Sequence, residues 1–260
     1  MDLGLKQKVA LITGASQGIG LAIAHRLADE GMAIAACARS ADRLEALKRD
    51  LEGRGGQVMI HLADLREIDA PANFAAAAKK QFGRIDLVVN NAGATKRGDF
   101  LVLTEQDWSD GYALKFFGAL RLCRAAWPDL IASRGNIVNI AGVGGRTGSS
   151  EFTIGGSVNA ALLNLTKCLA DRGVKDGIRV NAINPGYIIT DRLAIRFERL
   201  AKERSITIDQ ARKVMAEQTA VARFGTTDEV ADAVAFLASD RAAYIQGAII
   251  DVDGGMTRTL

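Results

Sequence analysis

Short apolar runs alternate with longer amphipathic stretches along almost the whole chain. Lys8 to Ile12, Ala33 to Ala38, Val58 to Leu62, Ile85 to Val89, Asn136 to Ile140, Arg179 to Ile183 and Ala248 to Val252 are apolar nearly throughout. Such runs predict parallel strands covered on both faces. Between them, apolar positions at helical spacing predict helices near 18–30, 41–53, 66–82, 104–132, 152–173 and 227–238. The alternation predicts an α/β fold, a Rossmann-type doubly wound parallel seven-stranded sheet with helices on both faces. Right-handed crossovers then place any ligand crevice beyond the carboxyl ends of the strands. Only 190–224 leaves the rhythm, as a charged, amphipathic insertion. No linker or repeat divides the sequence, so 1–260 reads as a single domain.

Composition narrows the classes. A chain of 260 residues, 48% hydrophobic, can bury a large core without disulfides. Its 33 basic and 30 acidic residues leave a net charge of +3 with no clustered basic face, which argues against a nucleic-acid or membrane partner. The sequence has no apolar leader and no run of membrane-spanning length, which predicts the cytoplasm. Cys37, Cys123 and Cys168 are far apart, in apolar stretches, and have neither metal-ligand nor redox spacing. They are expected to be small buried hydrophobes, and no metal site is predicted. His25 and His61 fall on the first helix and the third strand, away from the expected crevice, and are expected to be structural or exposed.

Thr13-Gly14-Ala15-Ser16-Gln17-Gly18-Ile19-Gly20 follows the first strand and opens the first helix. Glycines there let the backbone approach a pyrophosphate, whose charge faces the helix N-terminus. The segment therefore predicts a dinucleotide site. Asn90-Asn91-Ala92-Gly93 follows the fourth strand, Asp64 the third, and Asn184-Pro185-Gly186 with Thr190 the sixth, while the chain ends near Asp251-Val252-Asp253-Gly254-Gly255. With these motifs in this order from about Gln7 to Met256, the chain resembles the short-chain dehydrogenase/reductase family. The resemblance implies that Gly14, Ser16, Gln17, Gly18, Ile19 and Gly20 meet the pyrophosphate and that Asp64 and Leu65 meet the adenine. It implies Asn91, Ala92 and Gly93 beside the cofactor, and Pro185, Gly186, Ile188 and Thr190 at the nicotinamide. It further implies a helical lid over the substrate cleft at 190–224, and a homodimer or homotetramer joined through the long helices after strands four and five.

Members that prefer NAD carry an acid at the end of the second strand. Here Ala38 stands there, followed by Arg39 and Ser40, and a guanidinium suits a 2′-phosphate. Gln17 is less helpful, since many NADP-preferring relatives have a basic residue in its place. NADP(H) is the favoured cofactor, with NAD(H) as the alternative.

The family's Tyr-x-x-x-Lys falls on Gly155 and Asn159, its serine on Gly142 and its asparagine on Lys115. The usual proton relay is therefore expected to be absent, and no tyrosine between Tyr112 and Tyr187 can restore it. Loss of the phenol predicts a larger pocket beside the nicotinamide, next to a pliable loop containing Gly142, Gly144, Gly145 and Gly148. Two catalytic candidates emerge. Lys115 would contact the ribose, bind a substrate anion or act as a base if burial lowers its pKa, unless its helix is rotated and the lysine snorkels outward. Tyr187 offers a phenol on the opposite wall.

Lys96, Arg97, Lys115 and Arg146 border the crevice by position, and the insertion adds Arg192, Arg196, Arg199, Lys202, Arg204, Arg212 and Lys213. Together they predict an anionic small-molecule substrate, unless the insertion's charges form a solvated helical face. Three functions remain open. The first is an NADP(H)-dependent oxidoreductase with a non-standard proton donor, acting on a carbonyl, hydroxyl or activated double bond. The second is a catalytically inactive nucleotide-binding regulatory or partner subunit. The third, non-redox lyase-type chemistry, is disfavoured by the retained phosphate loop and carboxamide segment.

Overall fold

A computed structural model of the chain describes residues 2–258. Strands β1 (Val9–Thr13), β2 (Ala33–Ala38), β3 (Val58–Leu62), β4 (Leu87–Asn90), β5 (Asn136–Ile140), β6 (Arg179–Pro185) and β7 (Ile249–Val252) form one sheet in the order β3-β2-β1-β4-β5-β6-β7. Every pairing is parallel. The helices are α1 (Gly18–Asp29), α2 (Ala41–Gly53), α3 (Ala70–Phe82), α4 (Glu105–Tyr112), α5 (Gly118–Ser133), α6 (Thr153–Asp176), α7 (Asp191–Arg204), α8 (Ile208–Thr219) and α9 (Thr227–Ala238).

Strand β1 shows why the runs are apolar throughout. Alternate side chains leave a strand on opposite faces. Ala10 and Ile12 enter the core formed with α1, α2 and α9, whereas Val9 and Leu11 enter the core formed with α3, α5 and α6. All five β1 residues are buried, so no position tolerates a polar side chain without a partner. The strand order reverses between β1 and β4, and the crevice opens at their carboxyl ends.

The structure departs from the sequence pattern in places with identifiable causes. Helix α3 starts at Ala70 rather than near 66 because the Asp64 carboxylate accepts the Arg66 amide at 3.0 Å, and Pro71 fits only the first helical turn. The stretch 104–132 is divided by a π-helical turn, Ala113–Phe117, which carries Lys115. Such turns are rare and favour functional sites. Cys37 and Cys123 are buried, but Cys168 is exposed. It lies two residues beyond the fully buried Thr166, about 200° around α6, on the outer face. In the insertion, α7 and α8 share a small core of Leu193, Phe197, Met215 and Phe224. No helix among the described residues is long and apolar enough to cross a membrane.

Candidate active site

The loop after β1 is held open by polar staples to the loop after β4. The Thr13 hydroxyl accepts the amides of Asn91 and Ala92 at 2.9 and 3.0 Å, and the Asn91 carboxamide donates to the carbonyls of Thr13 and Gly14 at 3.0 and 3.1 Å. A Cβ at Gly20 would overlap the Gly14 carbonyl oxygen, so only glycine lets α1 start this close to the turn. Gly18 has φ +56°, a left-handed conformation that glycine adopts without strain.

Helix α1 has no side-chain cap and no acid in its first turn, whereas α4, α8 and α9 each begin with a full capping box. Its first amides are therefore left for an outside acceptor. They face a cavity of about 300 Å³ lined by Gly14, Ser16, Gln17, Gly18 and Ile19, and farther along by Arg39, Ser40 and Leu65. Asn91, Ala92, Gly93 and Thr190 complete the wall. Of the residues expected here, Gly20 and Asp64 stand behind the lining rather than in it. The Asp64 carboxylate is chelated by Arg66 at 2.6–3.1 Å, which holds its pKa below the usual carboxylate range, and Arg39 approaches it at 3.9 Å.

A second cavity, about 600 Å³, adjoins the first and takes in Pro185, Gly186, Tyr187 and Ile188 together with Lys115 and Asn159. The Lys115 side chain turns inward and does not snorkel, and its amine donates to the Ala141 carbonyl at 2.6 Å. Enclosure of the amine, with Arg192 nearby, lowers its pKa from 10.5 to about 7. Asn159 is buried, and its carboxamide oxygen has no hydrogen-bond partner among the described residues. Gly142 is fixed, since its amide donates to Asn184 at 3.1 Å and Asn184 donates to Asp251 at 2.9 Å.

The expected enlargement beside Gly155 does not occur. A Cβ at Gly155 would overlap the ring of Phe152, which also lies against Gly144. Phe152, one helical turn earlier, fills the place that a larger residue at 155 would claim. No family motif marks Phe152; the available signal is its bulk three residues before the consecutive Gly155 and Gly156.

The cations divide differently from their order in the chain. Lys96 pairs with Asp107 at 2.9 Å, and Arg146 turns to Asp251 and the Ile249 carbonyl at 3.1 and 3.3 Å, so neither joins the cleft. Arg199 pairs with Glu203 at 2.6 Å, and Arg212 lies over Phe197 near Asp209. Arg97, Lys115, Arg192 and Arg196 do line the larger cavity, and among the described residues no Asp or Glu lines it with them. The Tyr187 hydroxyl receives a hydrogen bond from Arg196 at 3.3 Å, and its ring meets Phe224 edge-on. His61 lies against Phe74, and His25 faces Asp50.

Comparison with known proteins sets this geometry in context. Residues 14–257 match the family model described as enoyl-(acyl carrier protein) reductase. The 3-oxoacyl-(acyl-carrier-protein) reductase FabG of Staphylococcus epidermidis is 34% identical over 254 residues, 96% of this chain and 98% of its own length. L-Sorbose reductase from Gluconobacter frateurii, solved with NADPH and L-sorbose, superposes with a TM-score of 0.96 at 34% identity, covering 100% of both chains. An NADPH-bound short-chain oxidoreductase from Pseudomonas aeruginosa PAO1, described as containing an atypical catalytic center, superposes at 0.90 with 31% identity over 98% of each chain.

Proposed function

The chain belongs to the short-chain dehydrogenase/reductase family, and from that premise we propose that it is an NADP(H)-linked oxidoreductase in which Lys115 handles the proton. The observation that carries this reading is the Lys115 amine held against the Ala141 carbonyl in the wall of the larger cavity, where enclosure lowers its pKa to about 7. A proton donor works best when its pKa lies near the operating pH.

The glycine cradle and the uncapped start of α1 fit a pyrophosphate, with Gly14, Ser16, Gln17, Gly18 and Ile19 around it and Gly20 behind. Arg39 and Ser40 suit a 2′-phosphate, Leu65 and the neighbouring Asp64 suit the adenine side, and Asn91, Ala92, Gly93, Pro185, Gly186, Ile188 and Thr190 suit the nicotinamide side. Solved relatives with NADPH bound support the same cofactor. When bound, the cofactor would supply hydride to a carbonyl carbon or accept it from a carbinol carbon. As the substrate oxygen gains charge, the Lys115 ammonium gives it a proton, and the resulting amine recovers one from solvent. One ammonium N–H is engaged by Ala141, which orients the group and leaves the others for substrate. The unpartnered Asn159 oxygen is an acceptor for a water or for the amine itself. Tyr187, already receiving Arg196, orients substrate on the facing wall. The α7–α8 unit serves as the lid that excludes water. A solved relative described as containing an atypical catalytic center is in keeping with this reading.

Single turnover with NADPH deuterated at the transferable position tests the redox reading. Deuterium is expected on the product carbinol carbon across a panel of small carbonyl compounds, and its absence from every product would end the proposal. Cofactor choice has its own test. Arg39→Ala is expected to weaken NADPH by roughly 1.5–3 kcal/mol, the loss of a charge-assisted contact, and to leave NADH nearly unchanged in a fluorescence titration. Equal losses for both cofactors would move the 2′-phosphate site elsewhere.

A further inference from the structure

We propose that the substrate of this cleft carries a carboxylate or phosphate group, and that Arg97 and Arg196 form the clamp that receives it. The inference rests on reading the larger cavity as the substrate site. Its support lies in how these two side chains are held.

The two arginines come from different elements, Arg97 from the loop after β4 and Arg196 from α7, yet both line the one cavity. Each is seated on an aromatic ring, with the Arg97 guanidinium carbon 4.0 Å from the Phe152 centroid and that of Arg196 4.7 Å from the Tyr187 centroid. Stacking occupies the face of a guanidinium and leaves its N–H edge, the part that grips a carboxylate or phosphate with two parallel hydrogen bonds. Those edges are not used within the chain. Arg97 donates to no other described residue, and Arg196 donates only to the Tyr187 hydroxyl, at 3.3 Å.

Neither has a carboxylate within ion-pair distance among the described residues, whereas Arg66, Arg84, Arg199 and Arg223 all do. Burial, and after it the charge of Arg196, lower the pKa of Arg97, and Glu151 offsets them only in part. Glu151, the acid whose charge reaches Arg97, is not part of the cavity wall. A cavity lined by one sign of charge gathers ligands of the other sign. Arg192 also faces the cofactor cavity, where Asp191 lies beside it, so it is left out of the clamp. At about 600 Å³ the space suits a small molecule.

The test uses the NADP(H)-loaded protein and three probes: 4-oxopentanoate, dihydroxyacetone phosphate and the neutral 2-pentanone. Titration of the NADP⁺ complex is expected to give at least about tenfold tighter binding for one of the anions than for 2-pentanone, by the worth of a charge-assisted contact, and to show which anion is preferred. Arg97→Leu and Arg196→Leu are each expected to weaken that anion about ten- to a hundredfold, and Arg97→Lys, which keeps charge but loses the fork, by less. NADPH affinity is the control for folding in each variant. Equal binding of 2-pentanone and both anions, or undiminished anion binding in folded Arg97→Leu and Arg196→Leu proteins, would overturn the clamp. Deuterium transfer to 2-pentanone would then leave the oxidoreductase reading intact. Anion binding without deuterium transfer to any carbonyl would leave the clamp and remove the redox function.

Discussion

Lys115→Met is expected to slow carbonyl reduction by about 10²–10⁴-fold, the usual worth of a positioned proton donor. The same substitution changes the pH profile. With a pKa near 7, the parent amine is protonated below that point, so kcat/KM for reduction should be level at low pH and fall about tenfold per unit above it. The methionine variant should be slow and nearly flat across that window. Stability moves in a different direction. The folded-state pKa of about 7 lies below the ordinary 10.5, so between those values the unfolded chain holds the proton that the folded chain has lost. Folding stability from this group therefore rises as pH climbs from about 7 to 10.5, and below 7 the folded state bears the whole cost of an enclosed charge. Lys115→Met should accordingly raise the melting temperature most at acidic pH and least near pH 10.5. A variant that retains parental kcat/KM and the parental pH profile would remove Lys115 from the reaction.

A tyrosine at position 155 is expected to destabilise the protein. Even a Cβ there would overlap the Phe152 ring, which also lies against Gly144. Overpacking of this kind costs about 3 kcal/mol, near the top of its usual range, which corresponds to a fall in melting temperature of roughly 6–12 °C. Adding Phe152→Ala should recover most of the loss by vacating the space the phenol needs. The measurement is thermal unfolding of the single and double variants side by side. A Gly155→Tyr protein as stable as the parent would mean that Phe152 is free to swing out and that the wall is soft.

Much of the fold was legible because apolar runs buried on both faces leave a signal at every residue. The runs at Ala33, Val58 and Asn136 coincide with β2, β3 and β5, and the polar Asn136 and Asn139 within β5 are buried with partners for their side chains, the Ala238 carbonyl and the Thr166 hydroxyl. Boundaries moved where a single local interaction outweighed the pattern, as with the Asp64 carboxylate and Pro71 ahead of α3. The glycines of the turn after β1 were legible for a related reason. Close backbone approach admits only glycine, and this restriction is written directly in the chain.

What the sequence determined by itself was the sheet, the glycine-rich turn after β1 and the consecutive glycines at 155 and 156. Each depends on residue type at a local spacing. The tertiary structure decided which cations face the cleft and which are held by an acid. Spacing alone could not separate Arg97 from its neighbour Lys96, because the difference lies in Phe152 and Asp107, which reach them from other parts of the chain. It also decided that Phe152 fills the space beside Gly155, and that Lys115 turns inward on a π-helical turn, with its amine against the Ala141 carbonyl. Enclosure, charge and hydrogen bonding at one atom are sums over groups distant in sequence, and only folding brings those groups within range.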